Sequence, residues 1–362
     1  MKNKIYFKIV LTIIFAVSFV ALKSQTDSTA MPLIVIEGED TQVNERIYNE
    51  GISLYKSQNL DEAMDKFNEV IQNDANFALA YLNRASIHSD KGNFNDAKGD
   101  LEKFISLNPK DANGYFLLGN AFYSLDDFDK AEEQYNKSLN LDAKNENAFY
   151  YRGVIKFEKE LYEEAIEDFT RAINIKNDFA YAFNDRGSAK RMLDNNEGAI
   201  ADYSIAISAN PNQAFFYNNR ASVKRKIEDF EGAISDYTLA VNVDPNYTIA
   251  YNNRGVAKFE TKKYREAVED YDKAISLDPE YAYAYNNRGN AKYKIKDYEG
   301  AIEDYNKALE LDPNMHYTYL HRGNAKEMIR DTKGAISDWD KAASYGIEAA
   351  ARYSKTYKDD NF

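Results

Sequence analysis

The chain has 362 residues, a formal net charge of −13, no Cys and three His. This balance excludes disulfides, thiolate metal sites, a catalytic Cys and Cys-linked lipid anchors, and it gives no basic footprint for nucleic acid. His88, His316 and His321 are too scattered for a metal centre, because residues five apart do not share one helix face.

Residues 1–24 read as a secretory signal. Lys2, Lys4 and Lys8 form a positive start, and an uncharged, mostly apolar run follows from Ile9 to Leu22. That run is short for a membrane span, which needs roughly 20 residues. The alternative is an uncleaved anchor over residues 5–22, and in that case alone the chain is held at a membrane. Either reading exports the remainder, to the periplasm or beyond. Residues 25–43 are a linker by composition, with an apolar β-branched stretch at 32–36.

From Asn44 to Ala349 a 34-residue frame repeats nine times without insertion, starting at 44, 78, 112, 146, 180, 214, 248, 282 and 316. Position 8 of the frame is always Gly or Ala, and position 20 is always Ala. Position 24 is mostly a large ring, as in Phe67, Phe169, Tyr203, Tyr237, Tyr271, Tyr305 and Trp339. Small residues at two fixed points let two helices approach, and the ring fills the space beside the contact. Asn or Asp holds position 16 in seven repeats, as a turn or N-cap, and five of the six prolines fall at position 32. Each repeat is therefore predicted to be a helix A over positions 1–14, a tight turn, and a helix B over positions 18–31. Residues 350–362 follow as a polar capping helix and tail, covering the apolar face of the last repeat.

This pattern resembles the tetratricopeptide repeat (TPR) family. The resemblance implies an all-α, right-handed superhelical solenoid of antiparallel helix pairs, with helix A lining a concave groove. Two positions depart from the family pattern. Position 7, usually Leu, is Arg in seven repeats, and position 11, usually Tyr, is Lys in six.

The repeats of one chain act as a small alignment. Arg at position 7 goes with Asp at position 23 in seven repeats: Arg84 with Asp100, Arg152 with Asp168, Arg186 with Asp202, Arg220 with Asp236, Arg254 with Asp270, Arg288 with Asp304 and Arg322 with Asp338. In the first repeat the signs swap (Glu50, Lys66), and in the third both charges are lost (Leu118, Gln134). Joint change of this kind points to an ion pair between helix A and helix B rather than to ligand-reading arginines.

The groove positions implied by the resemblance are 2, 5, 6, 9, 12 and 13. Positions 5 and 6 carry Asn218 and Asn219, Asn252 and Asn253, Asn286 and Asn287 in three successive repeats, with Asn83, Asn184 and Asp185 earlier. Tyr181, Phe215 and Tyr283 stand at position 2. Position 12 carries Tyr123, Phe157, Phe259 and Tyr293, with Arg191 and Arg225 between them. An amide both donates and accepts, so a regular file of Asn suits the backbone of an extended peptide; O-GlcNAc transferases hold peptide with similar ladders. The carboxylate clamp of chaperone-binding relatives does not carry over, because position 5 is never Lys and position 6 never Arg. The expected function is a non-catalytic scaffold, without cofactor or metal, that holds a protein or peptide segment. The alternative is a module binding carbohydrate or cell wall, in which rings stack on sugars. No nucleophile–base set or phosphate loop points to an enzyme.

Overall fold

The computed structural model describes residues 43–359. The predicted signal (1–24), the linker up to residue 42 with its apolar stretch, and residues 360–362 lie outside the described residues. Those described form nineteen α-helices with no strand among them, and none is long and apolar enough to cross a membrane. The chain divides into two compact units, one ending at Ala189 and one beginning at Lys190.

The first unit contains four helix pairs: Val43–Lys56 with Leu60–Asn73, Ala78–Asp90 with Phe94–Leu107, Ala112–Ser124 with Phe128–Leu141, and Glu146–Glu158 with Tyr162–Ile175. The second contains Asn196–Ala209, then Ala214–Lys226 with Phe230–Val243, Thr248–Glu260 with Tyr264–Leu277, Ala282–Lys294 with Tyr298–Leu311, and His316–Met328 with Thr332–Ser344. It closes on Glu348–Asp359. Within each unit, helix A packs on helix B of its repeat, and helix B packs on the next helix A. This is the tandem helix-pair architecture that the 34-residue frame predicts, with the closing helix starting two residues earlier than expected.

The packing follows from side-chain size. Alanines at position 20 are fully buried in all nine repeats. A Cβ added to Gly255 would come within 2.7 Å of the Tyr271 ring, and one on Gly119 within 2.5 Å of Tyr135. The last helix covers Trp339, whose ring lies 5.0 Å from Tyr357 and 5.6 Å from Tyr353. Position 16 caps helix B in five repeats, where Asp127, Asn195, Asp229, Asp297 and Asp331 accept from the backbone N–H three residues on; Asn59 and Asn93 make no such bond.

The turn between the two helices carries local strain. Position 15 has positive φ throughout: Gln58, Asp126, Glu160, Asp194, Glu228, Lys262, Lys296 and Arg330 between 59° and 69°, and Gly92 at 75°. A left-handed conformation costs a residue with a Cβ roughly 1–2 kcal/mol, and glycine in the unfolded chain gives part of that back. Glu228→Gly is therefore expected to stabilise the second unit by about 0.5–1 kcal/mol in a denaturant titration. A loss of stability would contradict the assignment of strain to this turn.

The arginines form the predicted pairs in all six cases where both partners lie within one unit. Arg254 donates from Nε to Asp270 Oδ2 at 3.0 Å and from Nη2 to Oδ1 at 2.6 Å. Arg84, Arg152, Arg220, Arg288 and Arg322 repeat this fork. The position-11 lysine completes the arrangement: Lys258 lies 2.9 Å from the same Asp270, with equivalents at Lys156, Lys224, Lys292 and Lys326. One buried carboxylate thus sits between two cations that stand one turn apart. The swapped pair Glu50–Lys66 also forms, at 2.7 Å, on a more exposed surface.

A third bond was not legible from the pairing. Nη1 of each arginine reaches back to position 25 of the preceding helix B: Arg84 to Asn68, Arg152 to Asn136, Arg220 to Ser204, Arg254 to Thr238, Arg288 to Asp272 and Arg322 to Asn306, at 2.6–3.3 Å. The guanidinium therefore ties its own repeat together and fastens it to the one before.

Candidate functional site

Helix A presents positions 5 and 6 side by side, and in the repeats starting at 180, 214, 248 and 282 both positions are polar. In the second unit Asn253 Nδ2 donates to Asn218 Oδ1 at 3.1 Å, and Asn287 Nδ2 donates to Asn252 Oδ1 at 3.0 Å. Thr318 Oγ1 donates to Asn286 Oδ1 at 2.9 Å, and Asn286 donates to Asn287 at 3.3 Å. The first unit makes the same crossing with other chemistry: Asn83 Nδ2 to Tyr48 Oη at 2.9 Å, and Tyr150 Oη to Asp185 Oδ2 at 2.7 Å. Position 6 of one repeat thus bonds position 5 of the repeat before it.

The six predicted amides are accordingly not a free polar surface. Asn218, Asn219, Asn252 and Asn253 are only 2–6 % exposed, and Asn286 and Asn287 are half-buried. They form a floor that also holds successive A helices in register. Each of these bonds uses one donor and one acceptor, whereas an amide has two N–H donors and an oxygen with two lone pairs. Among the described residues, Asn218 Nδ2, Asn252 Nδ2 and Asn253 Oδ1 have no hydrogen-bond partner.

The four predicted rings, Tyr181, Phe215, Phe259 and Tyr283, are all partly exposed. Three of them pack against neighbouring rings: Phe215 lies edge-on to Phe216 at 4.5 Å, Phe259 edge-on to Tyr264 at 5.2 Å, and Tyr283 is 6.4 Å from Tyr281. Fixed, half-exposed rings of this kind present apolar surface at little entropic cost.

In the first unit the same positions build something different. Asp185 stands at position 6 where five other repeats have Asn, and it accepts from Tyr150 Oη and from Asn184 Nδ2 at 2.8 Å. Burial pushes its carboxyl up from 3.8 to about 6, against the lowering effect of those two donors. Glu158 is raised by burial and then by the charge of Asp185. Burial, followed by the charge of Glu158, raises the phenol of Tyr123. All five residues fall on groove positions of the frame; Tyr123 and Asp185 were singled out in the sequence, whereas Tyr150, Tyr151 and Glu158, at positions 5, 6 and 13, were not. The signal that would have found them is the single acid in a file of amides.

The Asp185 shift fixes a pH dependence. The folded state keeps a proton between about pH 4 and 6 that the unfolded chain has released. Its stabilising contribution is therefore complete below about pH 4 and lost as pH rises through about 6, a change of roughly 2–3 kcal/mol. Asp185→Asn is expected to remove that loss and to raise the melting temperature at pH 7. Parallel melting profiles for the two proteins from pH 4 to 7 would refute it.

Models of the tetratricopeptide repeat match residues 82–148, 147–179, 216–247 and 282–315, and a TPR repeat model matches 257–296. No curated protein matches the chain. Among solved structures, a tetratricopeptide repeat protein from Parabacteroides merdae is 19% identical with a TM-score of 0.51, the match covering 68% of this chain and 98% of that one. The Cut9–Hcn1 hetero-tetramer of APC/C is 14% identical with a TM-score of 0.54, over 78% and 56%. YrrB, described as a TPR protein with an unusual peptide-binding site, is 26% identical with a TM-score of 0.45, over 51% and 95%.

Proposed function

The chain belongs to the tetratricopeptide repeat family, and from that premise we propose that it is an exported, non-catalytic scaffold holding an extended segment of a protein partner along its helix A face. Proteins of this family generally mediate protein–protein interaction. The observation that carries the reading is the set of unspent amide groups at Asn218, Asn252 and Asn253, flanked by half-exposed rings at positions 2 and 12. A peptide backbone repeats donor and acceptor whatever its side chains, so it can use such a floor while its side chains rest on the rings. The basic and apolar run of residues 1–24 supports export to the periplasm or beyond.

The test is affinity capture by the chain from Gln25 onward, set against envelope extract and against an array of extended peptides. The pair Phe259→Ala and Tyr283→Ala, checked for folding by circular dichroism, is expected to lower peptide retention at least tenfold. Retention of envelope glycan with no peptide or protein would replace this reading with the carbohydrate-binding one.

A further inference from the structure

Repeat five breaks the amide file of position 6 with an acid. Asn83, Asn219, Asn253 and Asn287 show that an amide suits this place in the frame, so folding does not call for Asp185. Other buried aspartates of the array are neutralised: Asp168, Asp236, Asp270, Asp304 and Asp338 each have an arginine and a lysine at 3.0 Å or less. Asp185 accepts only from neutral donors, a phenol and an amide. Among the described residues no cation lies within ion-pair distance of Asp185 or of Glu158. The chain therefore keeps a carboxylate in a partly dry place without the counter-charge it supplies elsewhere.

A group of rings lies on one side of that carboxylate. Tyr150 bonds it, and Tyr151 stands edge-on to Tyr150 at 5.2 Å and edge-on to Tyr123 at 6.0 Å. Tyr123, Tyr150 and Tyr151 come from neighbouring A helices, Ala112–Ser124 and Glu146–Glu158. Their π faces and the two carboxylates together suit one kind of guest: a cationic head on an apolar stem.

We propose that the surface cluster of Tyr151, Glu158 and Asp185, backed by the buried rings of Tyr123 and Tyr150, receives a lysine or arginine side chain of the segment bound along the helix A face. The stem packs on the tyrosine rings, and the ammonium or guanidinium supplies the counter-charge that Asp185 lacks. Guest binding then offsets the cost of keeping an acid where an amide fits. The inference rests on the reading of this face as a segment-binding surface, and the experiment separates the two.

The full chain is screened against randomised 12-residue peptides. Those retained are measured again by fluorescence anisotropy with each Lys exchanged for norleucine and each Arg for citrulline. The selected set is expected to share one cationic position, whose exchange weakens binding at least tenfold. Asp185→Asn, which keeps an acceptor for Tyr150, is expected to lower affinity for the cationic peptide at least tenfold and to erase the difference between lysine and norleucine. Glu158→Gln is the second variant and is expected to show a smaller loss in the same direction. Peptides retained without a cationic preference, or a preference unchanged in both variants, overturn the cation site and leave the scaffold reading standing. Retention of no peptide overturns both.

Discussion

Arg254→Ala is expected to cost the fold about 3–5 kcal/mol, in the lower half of that range. The substitution leaves Asp270 buried at 3% exposure. It removes the fork to that carboxylate, the bond to Thr238 in the preceding repeat, and the stacking of the guanidinium over Tyr251 at 5.4 Å. Lys258, 2.9 Å from Asp270, stays to neutralise part of the charge. Asp270→Ala errs the other way, leaving Arg254 and Lys258 one turn apart with nothing between them. The double variant Arg254→Ala/Asp270→Ala removes the charge and its partner together, so its cost falls well below the sum of the singles. Strict additivity would mean the two groups do not interact. Arg254→Lys is not expected to rescue, since an ammonium cannot make the planar fork and the third bond at once. Lys66→Ala in the first repeat, where the swapped pair is exposed, provides the contrast, with a much smaller loss of stability.

What was legible in the sequence was whatever recurs inside one repeat. Gly255 and Tyr271, Ala267 at the helix crossing, and the pairing of Arg254 with Asp270 all return at fixed positions, so nine copies expose them. Features that cross the repeat boundary were harder to read. The third arginine bond ends on Asn68, Asn136, Ser204, Thr238, Asp272 or Asn306, which share an acceptor oxygen but not an identity. The one clue is that the repeat lacking the arginine, at Leu118, is preceded by Glu102 in that place. The amide file was visible as two columns, yet its bonds join residues 35 apart, one more than the period. A reading confined to the 34-residue frame therefore sees exposed amides where the structure has a floor. The cluster around Asp185 was least legible, because Asp185 and Tyr151 each occur once at position 6 and the cluster joins residues of three different repeats.

The second large effect is expected at Tyr237. Its ring is fully buried and is held among Ala221 and Ala233 of its own repeat and Ala257 of the next. Tyr237→Ala should cost about 3–5 kcal/mol, near the top of that range, since three alanine methyls cannot close over the space a phenol leaves. Tyr237→Phe should cost only about 1 kcal/mol, the worth of the bond between Oη and Ser222 Oγ at 3.1 Å. The distribution of the damage is as informative as its size. An array in which each repeat touches only its neighbours sums local and nearest-neighbour terms, so a lesion at one junction weakens that junction first. Hydrogen exchange of Tyr237→Ala is expected to lose protection in Phe230–Val243 and Thr248–Glu260 while His316–Met328 retains it. Simultaneous loss along the whole second unit would show that it unfolds as one cooperative body. The alanines around each ring would then transmit a defect to repeats they never touch, and a bound segment could not be released by loosening one repeat at a time.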